Sequence, residues 1–267
     1  MRIVDCHVHL SGEVSAAEAL KALDANGVAR ILAISEQERV SIRQTREKLL
    51  RAKKLFDAAP DRISGLAWIN PTLAGAAELA AEALESLGFT GIKIIPDHWY
   101  ATEKRLEPFW ARMNSLRASI LFHTGILYAN DDSSRFCRPV YLEKLLHYPH
   151  IRFAMAHISW PWCEECLAVM GRMRAAVKYD TKASQSYVDM TPGTPKHIRK
   201  QAVANAIDFC GAERVMFGSD STLPGTLSYQ KEILENDLKL LDSLGLSAAQ
   251  KERILSGTAE ELFPAKR

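Results

Sequence analysis

The 267 residues fit one large domain or two small ones, and 47% hydrophobic with 25% charged residues is the balance of an ordinary globular enzyme. A formal net charge of +2 is too small to argue for nucleic acid or an acidic membrane surface as partner. No apolar run approaches the ~20 residues of a membrane span, and Arg2 alone before Ile3 leaves no signal-peptide pattern, so the expected setting is cytoplasmic.

A strand over residues 2–9 comes first and ends at His7 and His9; side chains two apart on a strand share a face, so the two imidazoles project together. Ser15 caps a helix that Asn26-Gly27 ends. Strand two is Ala29–Ile34, followed by a basic helix over 40–58 that Pro60 stops. Strand three is Ile63–Ile69; Pro71 and Thr72 open an Ala-rich helix ending at Gly88. Strand four, Gly91–Ile95, is halted by Pro96, and a loop carrying His98, Trp99 and Tyr100 leads to a helix near Pro108, a good first-turn residue.

Strand five is Ser119–His123, with a loop over 124–137 that holds Tyr128, Asp131, Asp132 and Arg135. Strand six is Ile151–His157. Strand seven is expected at Ala175–Tyr179, its loop running through Lys182 and Tyr187 to Pro192, with a helix over 195–209. Strand eight is Arg214–Asp220. A helix over 226–244 follows, and Ser247 with Gln250 makes a capping box for a terminal helix. Eight strands alternating with eight helices predict α/β architecture and favour a closed (β/α)₈ TIM barrel as a single domain over 1–267. No Gly-X-Gly-X-X-Gly follows a strand, so a dinucleotide fold has no support.

In such barrels chemistry sits at the C-terminal strand ends. Those ends carry His7 and His9 (strand one), Lys93 (four), His123 (five), His157 (six) and Asp220 (eight). Taken singly, His7 and His9 read as a chance His-X-His on a surface strand, His123 and His157 as buried rings satisfied by a carbonyl, and Asp220 as a cap. Their recurrence at the strand tips of one barrel argues for a shared centre: four imidazoles and a carboxylate suit Zn²⁺ or another borderline divalent ion. Lys93 reads as a structural cation, a substrate contact or a carbamylated lysine bridging two metals. His98, His147, His150 and His197 read as surface groups. Of five cysteines, Cys163 and Cys166 have metal or redox spacing, but no second pair accompanies them, and packing is the better reading.

Asp-Cys-His-Val-His on strand one, His123, His157 and Gly-Ser-Asp220, in that order, resemble the amidohydrolase superfamily, and Gly-Ile-Lys-Ile-Ile-Pro with the late Phe-Gly-Ser-Asp resembles its amidohydrolase-related branch of lactonases, hydratases and non-oxidative decarboxylases. The resemblance covers nearly the whole chain and carries no substrate. It implies that His7, His9, His123 and Asp220 bind a metal, and that His157 either ligates a second ion or acts as acid/base. Lys93 stands where two-metal members carry a carboxylated lysine, but without the aromatic residue of their Lys-apolar-aromatic-Pro segment; one ion is preferred and two stay open.

The expected activity is hydrolysis of a small amide, lactone or cyclic imide by a metal-activated water, with Asp220 and His157 catalytic. Lys93, Arg135 and Lys182 are candidate carboxylate anchors, and Trp99, Tyr100, Trp160 and Trp162 candidate pocket walls. A metal-dependent decarboxylase of an aromatic or unsaturated acid is the second reading, and a non-catalytic metal-binding protein the third. The expected partner is a small-molecule substrate, without nucleic acid or membrane; a homodimer is compatible with the chain.

Overall fold

The computed structural model describes residues 1–128, 132–179, 185–225 and 227–265. Its strands are β1 (Val4–Leu10), β2 (Arg30–Ile34), β3 (Ile63–Trp68), β4 (Gly91–Ile94), β5 (Ser119–Phe122), β6 (Arg152–Met155), β7 (Gln185–Asp189), β8 (Val215–Met216) and β9 (Ser221–Leu223). All pair in parallel, in the order β8-β7-β6-β5-β4-β3-β2-β1-β9. Of the two end strands, β8 lies within the predicted strand eight, Arg214–Asp220, and β9 begins just past its end. β8 pairs with β7 and β9 with β1. Between them the Cys6 N–H donates to the Phe217 carbonyl (3.1 Å) and the Asp220 N–H to the His7 carbonyl (2.9 Å). The sheet therefore closes on itself, as the expected barrel requires.

Helices cover the outside: α1 (Ala16–Asn26), α2 (Ile42–Ala58), α3 (Ala76–Glu85), α4 (Glu107–Ser115), α5 (Cys163–Tyr179), α6 (Lys196–Cys210) and α7 (Leu227–Ser243). The predicted capping boxes form, Ser15 with Glu18 on α1 and Ser247 with Gln250 on α8 (Ala248–Glu252). Two 3-10 stretches, Ser133–Cys137 and Pro139–His147, stand between β5 and β6. No helix among the described residues is long and apolar enough to cross a membrane.

Side chains alternate between two cores. Ile31, Ala67, Ile92, Ile120 and Phe153 face the helices. Val4, Leu32, Leu66, Trp68, Leu121 and Met216 fill the barrel, whose N-terminal end is plugged by Ala259, Leu262 and Phe263 of α9 (Thr258–Leu262) and the residue after it. Gly91 makes room for this plug: a Cβ there would lie 2.6 Å from the Phe263 ring.

Two features differ from expectation. Ala175–Tyr179 is the end of α5, and the seventh strand is Gln185–Asp189. A short apolar run such as Ala-Ala-Val carries no period long enough to tell strand from helix, and here the run continues a pattern begun at Cys163. The second difference is a bulge in β1. Asp5 pairs with Ile31 and Val8 with Ala33, so Cys6 and His7 together face Leu32. Strict alternation from Val4 and Cys6, both inside, would turn His7 and His9 towards the helices. The extra residue resets the phase, placing Val8 among the helices and His7 and His9 in the barrel mouth.

Candidate metal centre

His7 and His9 lie within β1 and Lys93 within β4, while His123, His157 and Asp220 follow β5, β6 and β8, the last two on backbone at positive φ. His157 begins a turn in which His157, Ile158 and Ser159 have φ of 61°, 46° and 55°. That region is unfavourable for a β-branched residue, and such conformations persist where surrounding structure dictates them. Asp220 also has positive φ (57°), its N–H held on the His7 carbonyl. Two residues earlier the chain passes so close to β1 that a Cβ on Gly218 would stand 2.9 Å from the His7 Cβ and 2.6 Å from Thr191 Cγ2. Only glycine fits there without displacing His7.

The six predicted residues meet. His7 Nε2 lies 3.1 Å from His9 Nε2, 3.1 Å from Lys93 Nζ and 3.4 Å from Asp220 Oδ1. His9 Nε2 is 3.3 Å from the same carboxylate oxygen, and His157 Nε2 is 3.2 Å from His123 Nδ1. Ligand atoms of His7, His157 and Asp220 lie within 4.8 Å of one another. The outer nitrogens of two rings face pure acceptors: His157 Nδ1 is 2.7 Å from the Pro192 carbonyl and His123 Nε2 is 3.2 Å from the Ile126 carbonyl. Those nitrogens carry the protons, so the inner nitrogens carry lone pairs. Two lone pairs 3.2 Å apart repel unless a cation or a proton lies between them. This donor set, imidazole nitrogens with one carboxylate, fits a divalent cation.

Electrostatics prepare the same state. Burial, with Lys93 adding to it, pushes the His7 imidazolium down to about 4. Burial and then His157 hold His123 well below the usual histidine value. Burial brings Lys93 down to about 8. For Asp220 burial acts upward, but His7, His9 and His157 together outweigh it, and the carboxyl is held well below the usual range. Neutral rings and an ionised carboxylate are the forms that bind metals.

His9, His123, His157 and Asp220 open onto a cavity of about 260 Å³, walled by Arg39, Ile95, Leu127, Tyr128 and Trp160. A larger cleft of about 520 Å³ runs between the β1–α1 loop and α2, among Glu13, Glu18, Glu36, Lys48 and Arg51. Arg51 pairs there with Glu36 and Lys48 with Glu38, and no cluster of metal-ligating groups falls there among the described residues. Size alone therefore does not mark the site.

Of the expected substrate contacts, Trp160 lines the cavity and Lys93 lies beside His7. Trp99 is buried in the core outside the sheet, Tyr100 packs at an angle against Phe136 and edge-on against Tyr141, and Arg135 lies exposed over Phe136. Trp162 packs under Arg138. Asp131 and Lys182 lie outside the described residues. Cys166 packs on Met155, its thiol pushed up by burial.

Three neighbours of the centre escaped the sequence. Arg39 stands in the cavity wall, paired with Asp97 at 2.7 Å. Asp189 and Thr191 lie behind His7 and His157. Tyr-Val-Asp189 obeys the same rule as the others, an ionisable group ending an apolar strand, but the expected strand at Ala175–Tyr179 lies ten residues before the observed one.

A family model described as amidohydrolase matches residues 4–265. No curated protein matches the sequence. Among solved structures, the 5-carboxyvanillate decarboxylase of Sphingomonas paucimobilis is 14% identical with a TM-score of 0.70, over 99% of each chain. That of Novosphingobium aromaticivorans, solved with manganese and 4-hydroxy-3-methoxy-5-nitrobenzoic acid, is 14% identical with a TM-score of 0.71, over 98% of this chain and 96% of that one. A protein of Pseudomonas putida provisionally named as a 2-pyrone-4,6-dicarboxylic acid hydrolase is 18% identical with a TM-score of 0.66, over 100% and 98%. At these identities the likeness speaks for the fold. The family match spans every strand of the barrel and every residue of the centre, and the chain belongs to the amidohydrolase family.

Proposed function

We propose that the chain is a divalent-metal-dependent hydrolase acting on the carbonyl group of a small amide, lactone or cyclic imide. The observation that carries this reading is the meeting of inward lone pairs and an ionised carboxylate at the floor of a small cavity. His7, His9, His123 and Asp220 would hold the ion, zinc in this reading, with His157 beside it. When bound, the cation supplies an acidified water and a Lewis acid at the carbonyl. Asp220, kept ionised and one-third exposed to the cavity, takes the proton of the attacking water. His157, its Nδ1–H fixed on Pro192, presents Nε2 to orient the water or stabilise charge on the carbonyl. The proton then returns to the leaving group. Trp160, Ile95 and Leu127 exclude bulk water, and Arg39 offers a guanidinium to an anionic substituent. Lys93, fully buried against His7, would stay an amine beside one ion or, once carboxylated by CO₂, would help to hold two.

Decarboxylation of an aromatic or unsaturated acid is the second reading. It is supported by the two full-length structural neighbours named as 5-carboxyvanillate decarboxylases. Asp220 or His157 would first take a proton from solvent and then deliver it to the carbon that loses CO₂. The deciding experiment is metal analysis followed by a screen of lactones, cyclic amides and aromatic acids. About one ion per chain, with acid formed and no CO₂ released, supports hydrolysis. CO₂ release supports the second reading. Metal-loaded protein that binds members of all three sets and converts none overturns both.

A further inference from the structure

We infer that Asp189 is a positioning residue that decides which nitrogen of His7 carries the proton, and through it the affinity of the centre for its cation. The inference rests on His7 being a ligand.

Asp189 ends β7, fully buried, and its two oxygens have separate tasks. Oδ2 lies 2.9 Å from His7 Nδ1. Oδ1 accepts from the His157 backbone N–H (2.8 Å), from the Thr191 backbone N–H (3.2 Å) and from the Thr191 hydroxyl. A carboxylate offers Nδ1 only lone pairs, so Nδ1 must be the protonated nitrogen. Nε2 is then left as an acceptor facing His9, Lys93 and Asp220. The same side chain also pins the backbone of His157 where it enters its left-handed turn. One residue of the seventh strand thus sets the His7 ring on the first and the His157 backbone after the sixth.

The three donors at Oδ1 make the consequence specific. In Asp189→Asn the amide must keep its oxygen on their side, because its NH₂ cannot face three donors. The NH₂ then meets His7 Nδ1. Two N–H groups cannot point at each other, so the ring shifts its proton to Nε2, which no longer has a lone pair for a metal. Thr191→Val is the control: it removes one donor from the same knot and the hydroxyl 2.8 Å from His157 Nδ1, which keeps the Pro192 carbonyl at 2.7 Å, and it leaves the Oδ2–His7 contact alone.

The test uses the metal-free full chain, titrated with Zn²⁺ against a competing chelator, together with thermal melting and ¹⁵N NMR of the histidine rings. For Asp189→Asn we expect Zn²⁺ affinity to fall about 10–100-fold, the metal-free protein to stay folded, and His7 to change from the Nδ1–H to the Nε2–H form. Thr191→Val should retain the wild-type form and most of the affinity. Unchanged affinity in Asp189→Asn, or an equal loss in Thr191→Val, overturns the inference. Should Asp189→Asn not fold, the wild type still decides: His7 found as Nε2–H in the metal-free protein overturns it. A wild type that takes up no ion while His7 is Nδ1–H would sink the metal reading and the affinity consequence, yet uphold the tautomer lock.

Discussion

At its N-terminal end the barrel is sealed by Ala259, Leu262 and Phe263, all buried, with Gly91 giving way to the Phe263 ring. At its C-terminal end stand His7, His9, Lys93, His123, His157 and Asp220, with backbone held at positive φ at two of them. Burial at the bottom is mainly apolar area leaving water. At the mouth, burial suppresses the charge on His7 and His123 and crowds lone pairs together. The two ends share one set of strands yet serve opposite purposes: the bottom holds the ring closed, and the mouth is kept in a state that a bound cation relieves.

Substitutions at the two ends should therefore separate activity from stability. The largest effect is expected at Asp220→Asn, which removes the proposed base: turnover should fall roughly 10³-fold while the melting temperature of the metal-free protein stays level or rises, checked by kinetics beside calorimetry. Next comes Phe263→Ala, which empties the plug and should cost about 3–5 kcal/mol in urea titration, with metal per folded chain unchanged. Gly91→Ala and Gly218→Ala form a matched pair, each Cβ meeting a neighbour at 2.6 Å. Both should lose about 1–3 kcal/mol, but only Gly218→Ala, whose Cβ presses on His7, should lose its metal in elemental analysis. The smallest effect is expected far from either end: breaking the exposed Lys53–Asp57 pair on α2 with Lys53→Ala should change stability by no more than about 0.5 kcal/mol. Equal metal loss in both glycine variants would erase the distinction between the ends.

What the sequence made legible follows the same division. Seven strands and the closed barrel were readable because each strand is a short oily run stopped by Gly, Pro or a polar tip. The six residues of the centre were readable because an ionisable group at such a tip has few bland explanations once several coincide. β7 is hidden because Gln185 and Ser186 open it with polar residues, and Asp189 is buried for a reason supplied by another strand, its contact with His7. The bulge at Cys6–His7 was hidden because it is a matter of register between β1 and β2, and register is a property of the pair. Trp99 and Tyr100 were expected at the cavity because they follow strand four, but the loop folds them against helical neighbours and hands the wall to Arg39 and Trp160.

The seam of the ring lies between β8 and β9, where four residues bridge the seventh strand to the first with only two backbone bonds to β1 among them. Asp220 sits at the end of that gap and faces two side chains from the opposite bank. An ion gripped from both banks would act as a clasp on the weakest join in the circle. Metal loading should therefore slow the rate at which the protein comes apart, and the loaded form should resist proteases longest at this join.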